Sequence, residues 1–134
     1  MSELRYLLDT SAVLTFLQDE DGAERVETLL RQEEIILPYL VLLETYYITL
    51  QEQTEDVADK RYALLKQLPA TIWWDVDEPT LLTAGRFKAN HRLSLVDAII
   101  AAFAKRQGAI LVHKDPELET LAESVEQEFL PYKT

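Results

Sequence analysis

The chain has 134 residues, with 13 basic against 24 acidic side chains, two histidines and no cysteine, giving a net charge of −11. The missing cysteine excludes disulfides, thiolate zinc sites and a thiol nucleophile. Gly22, Gly85 and Gly108 are too scattered for a glycine-rich phosphate loop, and His91 and His113 too far apart for a paired-histidine zinc site on one helix. The reactive groups left in quantity are carboxylates, whose hard oxygens suit Mg2+ or Mn2+. Few basic residues argue against a general nucleic-acid coat protein, but not against an enzyme that meets nucleic acid through metals and a local basic patch.

Strand-length apolar runs alternate with stretches of helical period, which predicts a parallel α/β sheet. Leu4 to Leu8 reads as a short buried strand. Thr10 to Gln18 follows as a helix, with Ala12, Val13, Phe16 and Leu17 at helical spacing, and Asp21 to Arg31 as a second. Ile35 to Leu37 is a strand; Pro38 suits the first turn of a helix from about Tyr39 to Gln51. Thr54 caps a helix reaching about Leu68, with Glu55 and Asp56 in its first turn. Thr71 to Trp74 is a strand, and Asp77-Glu78-Pro79 opens a helix to about Asn90. Ser94 caps the next, which carries Val96, Ile99, Ile100 and Phe103 and ends at Gly108. Ala109 to Val112, Pro116 to Glu123 and Val125 to Phe129 complete the order strand, short helix, strand. One domain over residues 1–134 is expected for this length. Met1-Ser2-Glu3-Leu4-Arg5 has no basic region leading into an apolar run, and Pro38 breaks the longest apolar stretch, Ile35 to Leu43. A cytoplasmic protein with no membrane partner is the expectation.

Asp9 and Asp115 each follow a predicted strand and precede a helix, where open α/β sheets bind ligands. Taken alone, each fits an N-cap role better than a ligand role. Glu44 shares its helix face with Leu40, Val41, Tyr47 and Ile48, a costly place for a carboxylate unless it is paired, metal-bound or at a solvent edge. Asp97 follows Ser94 by three residues, as in a capping box, at the start of a helix of buried character. Brought together, these four acids would repel one another and call for cations. One or two Mg2+ ions would meet that need, activate water and clamp a phosphodiester.

The segments Tyr6-Leu7-Leu8-Asp9-Thr10-Ser11-Ala12, Leu42-Leu43-Glu44-Thr45, Leu93-Ser94-Leu95-Val96-Asp97-Ala98 and Leu111-Val112-His113-Lys114-Asp115 resemble those of PIN-domain nucleases, in particular VapC-type toxin ribonucleases. The resemblance implies a three-layer sandwich with a central parallel sheet of about five strands. It implies Asp9, Glu44, Asp97 and Asp115 as catalytic and metal-site residues, with Thr10 and Ser94 orienting carboxylates or metal-bound water. The implied reaction is Mg2+-dependent hydrolysis of RNA by activated water, Mn2+ substituting. The implied assembly is a homodimer silenced by an antitoxin whose C-terminal segment occludes the pocket. The family commonly has Thr or Ser near the position of His113 and an aromatic residue near Leu118; this chain departs there, which makes Asp115 the weakest match of the four acids, and His113 reads as a packed strand residue in preference to a contact with RNA phosphate.

Arg86, Lys88, His91 and Arg92 form the clearest basic cluster; Arg86, Lys88 and Arg92 are candidates for holding RNA phosphates, against a solvated helix end. A non-catalytic PIN-like interaction module is the alternative function, with Trp73-Trp74 and Tyr46-Tyr47 as interface aromatics, although one of each pair is expected in the core. A phosphoacceptor receiver domain is disfavoured, because Leu8 stands where its acidic pair would need a second acid. Surplus negative charge, as in Asp19 to Glu24 and Glu117 to Glu128, is assigned to helix surfaces.

Overall fold

Residues 4–131 are described by the computed structural model; the Met1-Ser2-Glu3 part of the N-terminal reading lies outside them. The chain runs β1 (Arg5–Leu8), α1 (Thr10–Leu17), α2 (Ala23–Gln32), β2 (Glu34–Pro38), α3 (Tyr39–Glu52), α4 (Glu55–Gln67), β3 (Thr71–Trp73), α5 (Glu78–Asn90), α6 (Leu95–Gln107), β4 (Ile110–His113), a 3-10 turn (Pro116–Leu121) and β5 (Gln127–Phe129). The five strands form one parallel sheet in the order β3-β2-β1-β4-β5. Consecutive strand residues point to opposite faces, and Leu7 with Leu8, Ile35 with Ile36, and Leu111 with Val112 are all buried. Both faces are therefore covered by helices, as a parallel sheet requires. This is the α/β sandwich expected from the sequence.

The strand order reverses at β1, which pairs with β2 on one side and β4 on the other. A crevice forms at such a reversal, beyond the carboxyl ends of the two central strands. Those ends lead directly into Asp9 and, after His113, into Lys114 and Asp115. The Asp9 N–H donates to the Val112 carbonyl at 3.1 Å, continuing the β1–β4 ladder to the rim of the crevice.

Local chemistry explains the helix starts. Thr54 accepts from the Val57 N–H, Asp77 from that of Thr80 and Ser94 from that of Asp97. Gly108, at φ 62°, ends α6 in the left-handed region and returns its N–H to Ala104 and Lys105 carbonyls. Some boundaries differ from expectation. Helix α2 begins at Ala23, two residues late, because Gly22 at φ 104° turns the chain into it. Residues 116–121 form a 3-10 turn rather than an α-helix to Glu123, and β5 begins at Gln127 rather than Val125. Trp74 lies past the end of β3, 54% exposed, while Trp73 packs against the core. Among the described residues no helix is long and apolar enough to cross a membrane.

Candidate active site

Asp9 is placed by the turn from β1 into α1. Its Oδ1 accepts two hydrogen bonds, from the Ala12 N–H at 2.9 Å and from Ser11 Oγ at 2.7 Å. No described hydrogen bond reaches Oδ2. The cap foreseen for this residue is real, and it occupies only half of the carboxylate. Asp9 is 4% exposed. Burial pushes its carboxyl from the ordinary 3.8 up to about 7; the bonds from Ser11 and Ala12 oppose that rise, and the nearby charges of Asp97 and Asp115 add to it.

Ser94 accepts from the Asp97 N–H at 3.1 Å, so the cap of α6 is made. Among the described bonds, none runs back from the Ser94 N–H to the Asp97 carboxylate, so the capping box is half formed. Asp97 turns instead toward other acids. Burial is again the main cause that lifts its carboxyl to about 6; Ser94 opposes, while Asp115, Glu44 and Glu117 contribute by charge.

Glu44 is half-buried on α3, and its Oε1 accepts from Thr10 Oγ1 at 2.6 Å. That bond joins α3 to the first residue of α1, beside Asp9. No basic partner for Glu44 exists among the described residues, so the salt-bridge alternative does not apply. Asp115 accepts from the Glu117 N–H at 2.9 Å, also through one oxygen, Oδ1. Single carboxylate oxygens of Asp97, Asp115 and Glu117 lie within 4.8 Å of one another, close enough to share one ion.

Asp97 and Asp115 thus meet at the sheet reversal, with Asp9 near enough to both, and Glu44 near enough to Asp97, to act by charge. Glu117, exposed on the 3-10 turn as a surface residue, also reaches the group, a role the sequence did not give it. The reason is the 3-10 turn: Pro116 starts it, and the Asp115 cap folds Glu117 back to the Asp115 side. Asp-Pro-Glu after a strand was the available signal. Ser11 also escaped notice. Its Oγ donates to Asp9 and accepts from the Lys114 N–H at 2.9 Å, fastening the β1 and β4 turns together. Lys114 is itself 11% exposed and sits 3.6 Å from Glu20.

The basic candidates are placed differently. Arg86, Lys88 and Arg92 are exposed. Arg86 opens on a shallow groove shared with Arg106 in the last turn of α6, whereas Asp97 is in its first turn, about 14 Å away along the axis. His91 places Nδ1 2.8 Å from Thr120 Oγ1. His113 is the packed residue expected, fully buried with its ring edge-on to Phe129 at 4.4 Å. Tyr46 donates to Asp59 at 2.6 Å and lines an apolar groove with Tyr39, Leu42, Leu43, Tyr62 and Trp74, next to Glu44 along α3.

The donor set suits a divalent cation. Three carboxylate oxygens cluster, Asp9 beside them has a free oxygen, and burial makes the metal-free charges costly enough to raise two carboxyls well above their usual range. Residues 6–124 match the family model of the PIN domain. The chain belongs to the PIN-domain family.

The fold of VapBC2 from Rickettsia felis, solved bound to a promoter DNA fragment, matches with a TM-score of 0.79 at 16% identity, over 96% of this chain and 100% of that one. VapBC-1 from nontypeable Haemophilus influenzae matches at 0.74 and 18%, over 94% and 98%. Mycobacterium tuberculosis VapC20, a sarcin–ricin loop cleaving toxin, matches at 0.70 and 18%, over 90% and 97%. At these identities the likeness is one of fold. Comparison with curated protein sequences returns no significant match.

Proposed function

We propose that this PIN domain is a Mg2+-dependent endoribonuclease that hydrolyses RNA phosphodiesters with water, and the toxin of a type II toxin–antitoxin pair. The observation that carries the proposal is the convergence of Asp97, Asp115 and Glu117 oxygens within 4.8 Å, beside a buried Asp9 and a Thr10-anchored Glu44. Asp9 through Oδ2, Asp97, Asp115 and Glu117 would hold the ion, with Glu44 next to them. When bound, Mg2+ or Mn2+ supplies a Lewis acid for the phosphate and a more acidic water.

The chain's own groups do the rest. Ser11 and the Ala12 N–H fix the Asp9 carboxylate through Oδ1, leaving Oδ2 without a described hydrogen bond and available to an ion. Thr10 holds Glu44 by Oε1, leaving Oε2 to accept a hydrogen bond from water. Ser94 caps α6, whose N-terminal dipole end would favour a phosphate bound beside it. Arg86, Lys88 and Arg92 would contact more distant RNA phosphates.

An antitoxin fits two further features. The apolar groove of Tyr39, Leu42, Leu43 and Trp74 beside Glu44 suits an amphipathic segment, and the −11 charge favours a basic one. The relatives from R. felis and H. influenzae were solved as VapBC assemblies. We propose a homodimer acting in the cytoplasm, and one domain over the whole chain.

Incubation of the protein with structured and unstructured RNA in Mg2+, with an EDTA control, tests the activity. Cleavage abolished by EDTA is expected, whereas cleavage persisting in EDTA contradicts the proposal. The exposed Trp74 and the partly buried Tyr39, Tyr46 and Tyr62 of the groove favour one second reading, a non-catalytic interaction module. Such a module has no need to bind Mn2+, so a calorimetric Mn2+ titration separates the two.

A further inference from the structure

The β4 turn carries a hydrogen-bond chain that the proposed chemistry leaves unused. The Asp115 N–H donates to His113 Nδ1 at 3.1 Å. A backbone N–H can only donate, so this nitrogen carries no proton, and in the neutral ring the proton is on Nε2. His113 Nε2 lies 2.8 Å from Gln127 Oε1 and donates to it. The Gln127 amide nitrogen donates in turn to the Leu118 carbonyl at 2.8 Å, which fixes the amide's orientation and makes the chain self-consistent. The ring is fully buried against Phe129, and the His113 carbonyl accepts from the Leu130 N–H at 2.8 Å.

The segment from Lys114 to Leu118 is the one that presents Asp115 and Glu117 to Asp97. It is held at Lys114 by Ser11, at Asp115 by His113 and at Leu118 by Gln127. Pro116 restricts Asp115 to extended backbone, and Asp115 has φ −109° and ψ 113°. A hydroxyl side chain at position 113 could reach the Asp115 N–H but not Gln127 as well. The imidazole, with nitrogens on opposite sides of its ring, spans from the turn to the edge strand β5.

We propose that His113, held as the neutral Nε2–H tautomer by Gln127, is a positioning residue that sets the Asp115–Glu117 turn for cation binding. This rests on the metal-centre proposal above. Both ring nitrogens of His113 and both amide atoms of Gln127 are taken up by this chain of hydrogen bonds, so neither residue would be a ligand. Outer partners of metal ligands typically change affinity by about ten- to a hundred-fold when removed, and that range applies here.

The test combines imidazole nitrogen NMR of the metal-free chain with Mn2+ titration of folded variants. Wild type should show a bare Nδ1 and a protonated Nε2. His113→Leu should raise the Mn2+ dissociation constant about ten- to a hundred-fold. His113→Asn, whose Oδ1 can take the Asp115 N–H, should recover part of that loss. Gln127→Met should disturb the tautomer signal and weaken Mn2+ binding without altering any ligand, and it carries the test if His113→Leu does not fold. A protonated Nδ1 in wild type overturns the proposal. So does Mn2+ binding by His113→Leu and Gln127→Met within twofold of a wild type that binds well. A wild type with the expected tautomer but no Mn2+ binding instead overturns the metal centre, and the positioning role with it.

Discussion

Asp9 concentrates the physical tension of the site in one side chain. It is 4% exposed and has no cation among the described side chains within hydrogen-bonding reach, and its carboxyl is pushed up to about 7. The folded protein therefore holds this proton more tightly than the unfolded chain, whose Asp titrates near 3.8. Between those values folded molecules bind more protons than unfolded ones, so stability falls as pH rises through the window. The shift corresponds to about 4 kcal/mol as an order of magnitude. Denaturant titrations in EDTA at pH 5 and pH 8 should show the wild type losing stability at the higher pH. Asp9→Asn keeps Oδ1 as the acceptor for Ala12 and Ser11, since both bonds fall on that atom. The variant should have a flatter pH dependence and exceed wild type at pH 8 without metal. A variant less stable than wild type at pH 8 contradicts the buried-charge explanation. Thr10→Val should leave stability within about 1 kcal/mol, the usual worth of one hydrogen bond. It should nevertheless lower RNA cleavage at saturating Mg2+, because Glu44 loses its anchor; unchanged cleavage removes Thr10 from the mechanism.

At the scale of elements, the legible parts of the fold were those that local chemistry decides. Thr54, Asp77 and Ser94 start their helices as capping residues, and Gly108 ends α6, because each choice involves only neighbours in sequence. Asp9 and Asp115 were visible because a strand end followed by an acid is a local pattern, and the caps fall on Oδ1 of each, leaving the other oxygen without a described hydrogen bond. Glu117 was only partly legible: Asp-Pro-Glu after a strand is a local signal, but the turn also makes contacts with Ser11 of α1 and Gln127 of β5, which lie far off in sequence. Arg86 looked close to Asp97 in sequence, but the direction of α6 carries its groove toward Arg106. Glycine substitutions separate local from tertiary constraint. Gly108→Ala meets no atom within 4 Å, so it should cost only the left-handed backbone penalty, about 1 kcal/mol. Gly22→Ala brings a Cβ to 3.2 Å from Leu130 and Pro131 as well as straining φ 104°, so it should cost more. Paired thermal melts check the order; equal costs would mean that the α2 entry relaxes freely.

Across the whole molecule, the −11 charge divides into two parts. One is the acid cluster at the sheet reversal, which the proposed divalent cation would offset; the other is surface charge such as Asp19, Asp21 and Glu24. RNA, the proposed substrate, would need the cation and the few exposed basic groups to approach such a surface. Reversing charge at Arg86 and Arg92 should weaken RNA binding and flatten its dependence on salt, as loss of phosphate contacts does. Unchanged binding removes that face from the RNA path. The central claim is that the acids gathered at the β1–β4 crevice form a metal-dependent hydrolytic centre. Its most direct measure is the RNA cleavage rate in Mg2+ or Mn2+ of wild type beside folded Asp9→Asn and Asp97→Asn. Wild-type cleavage that both substitutions reduce at least about a hundred-fold, roughly 2.7 kcal/mol of barrier, is the expected result. Cleavage at the wild-type rate by both variants would contradict it.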